Sequence, residues 1–328
     1  MDRPRIPDIA RLAGVSTATV DRVLNKRAGV KSTTQRRVIQ AAAELDYLPV
    51  EVLQETLRPR PLEVVFLLPQ GTNRFLQMLG EVIRYAGAEF APFNVRCRRV
   101  FVEGFNPQAL ARALATQGAR ADALAFMALD HPAVREAVRK LDERGKPVIT
   151  LISDLSESRR VAYVGMDNRS AGRTAGLLLG RFIGARRGEV ALIAGSRSYR
   201  GHEEREAGFL HIMEESFPQL RIVGLREGQD DIDNNHRQTR SLLRQYPGLV
   251  GIYNIGGASE GVARALRETG RAGKVVFIGH GLTPDTRQDL IDGTLDAVIT
   301  QPPGTMIGNC VRIFSNLRNG RPAMEARP

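Results

Sequence analysis

The stretch Asp8–Asn25, DIARLAGVSTATVDRVLN, carries two short helical patterns on either side of a glycine. Pro7, just ahead of it, suits the first turn of a helix, where its missing N–H costs nothing. Ile9, Leu12 and Ala13 recur at helical spacing and predict a buried stripe. Gly14 breaks the run. Ser16 is a good N-cap for a second helix whose apolar side is Val20, Val23 and Leu24, and Val15 is placed to pack back on the first. Helix, short glycine-containing turn, helix is the helix-turn-helix pattern. A third helix follows. Ser32 opens S-T-T-Q, a capping box with Gln35, and Val38, Ile39, Ala42 and Leu45 supply the buried stripe.

If Val20, Val23 and Leu24 face inward, then Thr17, Ala18, Asp21, Arg22 and Asn25 face outward. Small side chains at the start of this helix allow close approach to base edges. Arg22 can hold a guanine O6/N7 pair, and the Thr17 and Ala18 methyls can touch thymine. Lys31, Arg36 and Arg37 can serve phosphates and fix register. Charge agrees with a polyanionic partner: the chain has a formal net charge of +11, and residues 1–40 hold nine Lys or Arg against three Asp. A structural helical cap with a solvated charged face would share this composition, so the order of residues decides.

That order, IPDIARLAGVSTATVDRVLNKRAGVKSTTQRRVIQAAAELDYLP over Ile6–Pro49, closely resembles the DNA-binding headpiece of the LacI/GalR family of bacterial transcriptional regulators. The D-I-A-x-x-A-G-V-S-x-x-T-V-x-R-V-L-N core, the V-x-x-x-T-x-x-R-V spacing and the closing A-A-x-E-L-x-Y-x-P match in order. The resemblance implies DNA contacts at Ser16, Thr17, Ala18, Thr19, Asp21, Arg22, Asn25, Lys31 and Arg36. Asp21 departs from the family, whose headpieces usually carry Ser there; an acid could accept from a cytosine amino group or repel phosphate. Residues 50–61, VEVLQETLRPRP, stand where the family has a hinge helix that wedges a leucine into the minor groove. Leu57 is the expected wedge, with Leu53 the other candidate and Glu51 and Glu55 facing unfavourable phosphate potential. Pro59 and Pro61 stop the segment and mark a boundary.

From Leu62 the pattern changes to apolar runs alternating with helical stretches. The runs are LEVVFLLP, RCRRVFV, ADALAFMAL, PVITLIS, VAYVGMD, GEVALIAGS, LRIVGLRE, GLVGIYNIG, KVVFIGHG and LDAVITQ. Continuous apolar strands followed by helices predict buried parallel sheets, and so many strands predict two α/β lobes. This body resembles the type I periplasmic sugar-binding fold, closest to its ribose-binding branch. The expected organisation is an all-α helix-turn-helix headpiece (1–49), a hinge (50–61) and a two-lobed effector domain (62–328). Lobe 1 takes about 62–163 and 302–322; lobe 2 takes about 164–301 and 323–328. Asp167 is placed to cap the first helix of the second lobe.

Ligands of such folds sit between the lobes at the carboxyl ends of strands. The resemblance implies effector contacts at Asn73 and Phe75 in GTNRFLQ, Arg205 in HEEREAGF and Gln301 in VITQPP. Asp154 in VITLISD lies near the family's acidic sugar contact. Two positions depart: NIGGAS, with Asn254 ahead of Gly256 and Gly257, where Asn-Asp is common, and GHG, with His280, where Asp is common. The expected effector is a sugar, polyol or sugar acid.

Other signals point elsewhere. GASEG at Gly257–Gly261 fits a hydrolase nucleophile elbow around Ser259, but no acid-then-histidine order follows with enough chain between, and no enzyme activity is expected. The histidines show no metal-ligand spacing, so no metal or cofactor is expected. Cys97 and Cys310 form no disulfide framework. A polar start and the lack of a long apolar run predict a cytoplasmic, nucleoid-associated protein without membrane contact. The last residues, NGRPAMEARP, carry no heptad tail, so the expected assembly is a homodimer on a pseudo-palindromic operator. A cytoplasmic sugar sensor without operator specificity is the alternative.

Overall fold

The computed structural model describes residues 4–25, 27–47, 60–87 and 89–323. The chain divides into two compact units, 1–61 and 62–328.

The first unit holds α1 (Ile6–Ala13), α2 (Thr17–Leu24) and α3 (Ser32–Glu44). Gly14 ends α1 at φ +64°, the left-handed turn that glycine adopts without strain. Ser16 caps α2, its hydroxyl accepting from Thr19 N at 3.2 Å. Ile9, Ala10, Ala13, Val20, Val23, Val38, Ile39, Ala41 and Ala42 close one core, with Val15, Leu24 and Leu45 packed against it. Two expectations change. Leu12 is 50% exposed, because α1 is only two turns long and turns Ile9, Ala10 and Ala13 inward instead. At α3, Ser32 is already the first helical residue; Lys31 takes the N-cap position and makes no side-chain cap.

The second unit contains two parallel sheets. The first runs β2-β1-β3-β4-β5, from β1 (Leu62–Pro69), β2 (Val95–Val102), β3 (Ala123–Met127), β4 (Val148–Leu151) and β5 (Ala162–Val164). The second runs β10-β9-β8-β6-β7, from β6 (Gly188–Ala194), β7 (Leu220–Glu227), β8 (Leu249–Asn254), β9 (Val276–His280) and β10 (Ala297–Ile299). Each strand lies within or against an apolar run expected to form one. Helices α4 (Arg74–Tyr85), α5 (Pro107–Gly118) and α6 (Pro132–Asp142) belong to the first lobe. The second lobe has α7 (Asn168–Ile183), α8 (Arg200–Ser216), α9 (Ile232–Gln245), α10 (Ser259–Glu268) and α11 (Pro284–Ile291). The chain then crosses back, and α12 (Pro303–Arg318) buries Met306, Ile307, Cys310, Val311 and Phe314 in the first-lobe core. Ala323 also packs on that core, which corrects its expected place in the second lobe. Among the described residues no helix is long and apolar enough to cross a membrane.

The close pairing of α7 and α8 positions the site. Asp167 caps α7 by accepting from Ser170 N at 2.9 Å. A Cβ on Gly172 would lie 2.0 Å from the Arg205 carbonyl oxygen, so the two helix backbones touch at Arg205 of α8. Gly172→Ala is therefore expected to destabilise this domain by about 1–3 kcal/mol through overpacking. Urea unfolding checks this against Gly304→Ala, where nothing lies within 4 Å of the added methyl and the stability should hold or rise slightly.

Candidate functional site

In the first unit, core packing uses one side of α2 and leaves the other open. Ser16, Thr17, Ala18 and Arg22 are exposed, as are Asn25, Lys31, Arg36 and Arg37. Thr19 is half-buried, with its hydroxyl 2.9 Å from that of Ser16. Asp21 is not a free acid. One carboxylate oxygen accepts from Asn25 Nδ2 at 2.7 Å, and the other pairs with Arg27 at 3.1 Å. The departure at Asp21 is thus neutralised locally, and the Asn25 amide is turned back along its own helix. Leu57 and Leu53 lie outside the described residues.

In the second unit, the carboxyl ends of the two sheets face each other across a cleft. Asn73, Phe75, Arg205, His280 and Gln301 all line it. The lobes are in direct contact. Asn73 Nδ2 donates to Asp230 Oδ2 at 3.2 Å, and Thr72 Oγ1 donates to the Asp230 carbonyl at 3.3 Å. A Cβ on Gly257 would stand 2.1 Å from Asn73 Nδ2, so this approach requires glycine there. Tyr199 of the second lobe is buried in the first-lobe core, edge-on to Phe105 at 5.4 Å.

Arg205 is 5% exposed. Its Nε donates to Asn168 Oδ1 and its Nη1 to the Ile255 carbonyl, both at 2.8 Å. Asn168 Nδ2 in turn donates to the Ile152 carbonyl at 3.1 Å, tying α7 to the end of β4. Asp230, which the sequence reading missed, supplies the opposite charge and accepts from Gly257 N at 2.8 Å. It follows β7 in EGQDD, and an acid just past a strand's carboxyl end was the available signal. His202 was also missed, although it stands one turn before Arg205, so the two share a helix face.

Burial pushes the His202 imidazole down to about 4, with the Arg205 charge adding to the effect and Asp230 opposing it. Burial, then the charges of Arg205 and His202, also hold His280 well below the usual histidine range. Both rings are therefore neutral near pH 7. Unfolding exposes them to water, where they take up protons near pH 6.5. The unfolded chain binds more protons below that pH, so stability is full above about 6.5 and falls as pH drops towards 4. Thermal unfolding from pH 7.5 to 4.5 should show this loss, and His202→Gln should flatten it.

Two expected contacts do not reach the cleft surface. Asp154 is turned away and paired with Arg160, while Thr150 Oγ1 donates to it at 2.6 Å and Leu155 N at 2.8 Å. Burial opposes its ionisation, but these partners together hold its carboxyl below the usual range. Asn254 is fully buried and shapes the Gly256–Gly257 loop, donating to the Gly257 carbonyl at 2.8 Å and to Ser259 Oγ at 3.0 Å. Ser259 is 1% exposed and so is not presented as a nucleophile. His280 Nε2 is instead 2.7 Å from Tyr253 Oη. Among the described residues no cluster of His, Cys, Asp or Glu is placed to hold a metal ion.

Residues 5–50 match the model for bacterial regulatory proteins of the lacI family, and residues 64–322 match that for a periplasmic binding protein domain. A relative in Streptomyces limosus, an uncharacterized HTH-type transcriptional regulator in the aml 5' region, is 31% identical over 273 residues, covering 81% of this chain and 75% of its own.

The chain belongs to the LacI family of bacterial regulators.

The ribose operon repressor of Halalkalibacterium halodurans is 24% identical over 76% of this chain and 70% of its own. Among solved structures, a solute-binding protein of Burkholderia graminis in complex with D-arabinose superimposes with a TM-score of 0.74 at 24% identity, over 83% of this chain and 93% of its own. That likeness shows the fold of the two-lobed domain of this LacI-family chain.

Proposed function

We propose that this LacI-family chain is an operator-specific transcriptional repressor whose DNA affinity is set by a small hydroxyl-bearing ligand in the interlobe cleft. The observation that carries the reading is the exposed face of α2, with Thr17, Ala18 and Arg22 open to solvent on a helix fixed by a buried core. Small residues at the helix start admit the base edges, and Arg22 reaches a guanine. Lys31, Arg36 and Arg37 take phosphates. A homodimer presents two such helices to successive major grooves, which calls for a pseudo-palindromic site.

The cleft supports the second half of the reading. It combines the Phe75 ring with Arg205, Asp230, His280 and Gln301. An aromatic face stacks on the C–H side of a sugar ring while convergent polar groups bind its hydroxyls. A ligand that favours one lobe arrangement changes DNA affinity by linkage. The relative named as a ribose operon repressor supports a saccharide effector.

Selection from a pool of random duplexes tests the function. The full chain should enrich one two-fold symmetric motif, and its binding should weaken steeply with salt. Binding that leaves the pool unsorted would mean that the α2 face contacts phosphate alone.

A further inference from the structure

The polar groups of the cleft are unevenly divided between the lobes. Met127, Ile152 and Met166 stand at or just past the carboxyl ends of β3, β4 and β5, three neighbouring strands of the first sheet. They form one apolar wall. Among the described residues the polar side chain that the first lobe brings to the cleft is Asn73, and both ends of its amide already bond within the protein, Nδ2 donating to Asp230 and Oδ1 accepting from Leu76 N at 3.3 Å. The Ile152 carbonyl is occupied too, by Asn168 and by Tyr163 Oη at 3.0 Å.

Ile152 itself marks the wall as built. Its φ is +62°, a left-handed conformation that a β-branched residue rarely adopts. Ser153 N closes a tight turn around it onto the Leu151 carbonyl at 2.5 Å. This strained backbone holds an isoleucine at the cleft surface where a polar side chain would have been easier to place.

The second lobe is the opposite. His280 Nδ1 is buried without a partner among the described residues, while Tyr253 holds the other ring nitrogen. Arg205, Asp230, Thr300 and Gln301 share this side. Arg205 and Asp230 bring one positive and one negative charge to the lining, so its formal charge is balanced, and two of the three guanidinium nitrogens are already bonded within the protein. An anionic ligand would bring an uncompensated charge into this site.

We propose that the cleft takes a neutral deoxy sugar or deoxy polyol, its hydroxyls held by the second lobe and its methyl or methylene edge set against Met127, Ile152 and Met166. This rests on the reading of the cleft as a site for hydroxyl-bearing ligands, and it narrows that class. A hydroxyl turned to the apolar wall loses its water and gains no partner, which lowers affinity about ten- to a hundredfold.

Calorimetric titration of the full chain with matched pairs tests the assignment: L-fucose against L-galactose, L-rhamnose against L-mannose, deoxyribose against ribose, with galacturonate as the acid. The deoxy member of at least one pair should bind about tenfold or more tightly than its parent. Ile152→Asn should shrink that ratio, because Asn accepts the left-handed backbone and brings an amide to the wall; its unfolding temperature shows that the fold is kept. Equal or tighter binding by the parents or by galacturonate overturns the deoxy assignment and leaves a saccharide effector standing. Binding by none of the probes overturns both.

Discussion

Arg205→Ala is expected to destabilise the two-lobed domain by about 3–5 kcal/mol and to abolish its thermal response to cleft ligands. The size follows from what the guanidinium touches. Its removal leaves Asn168 Oδ1 and the Ile255 carbonyl without their donor, and it takes a positive charge away from a lining that also holds the buried Asp230. Each buried acceptor left unsatisfied costs about 1–3 kcal/mol, and the packing of the long buried side chain is lost as well. Arg205→Lys keeps the charge but cannot span both acceptors, so it should recover less than half of the loss. Urea unfolding reads the stability, and ligand-dependent melting reads the site. A stable Arg205→Ala protein with normal ligand response would remove Arg205 from the site.

Arg22→Ala is expected to lower affinity for the selected duplex by about 1–3 kcal/mol and to relax preference at one base pair in each half-site. Arg22 is exposed and in the last turn of α2, whose neighbouring acid, Asp21, is already engaged by Asn25 and Arg27. Arg36→Ala should instead weaken all duplexes alike and reduce the salt slope by about one. Competition binding at several salt concentrations separates the two. An equal loss on selected and random duplexes would make Arg22 a phosphate contact.

The fold was legible because its elements announce themselves through continuous patterns. LEVVFLLP and LRIVGLRE coincide with β1 and β7 from end to end. Where an apolar run overshoots its strand, as in ADALAFMAL around β3, the surplus lies in the flanking turns. Leu12 misled because a two-turn helix need not bury every apolar residue at helical spacing. In the cleft, Asn73, His280 and Gln301 lie at or within four residues of a strand's carboxyl end, where the family resemblance points. Asp230 lies near such an end too, but in a polar stretch that draws no attention. Ile152 was illegible, because its place depends on a left-handed backbone at a position where sequence favours neither turn nor glycine. Asp154 reads as the better contact two residues on, yet Arg160 holds it away.

The central claim is that one chain joins sequence-specific DNA binding to occupancy of the interlobe cleft. The most direct measurement is the affinity of the full chain for its selected duplex, titrated with each neutral sugar that raises its unfolding temperature. Linkage requires at least one of them to change that affinity, by about fivefold or more, and requires Arg205→Ala not to respond. DNA affinity that stays constant while such a ligand saturates the cleft would contradict the account.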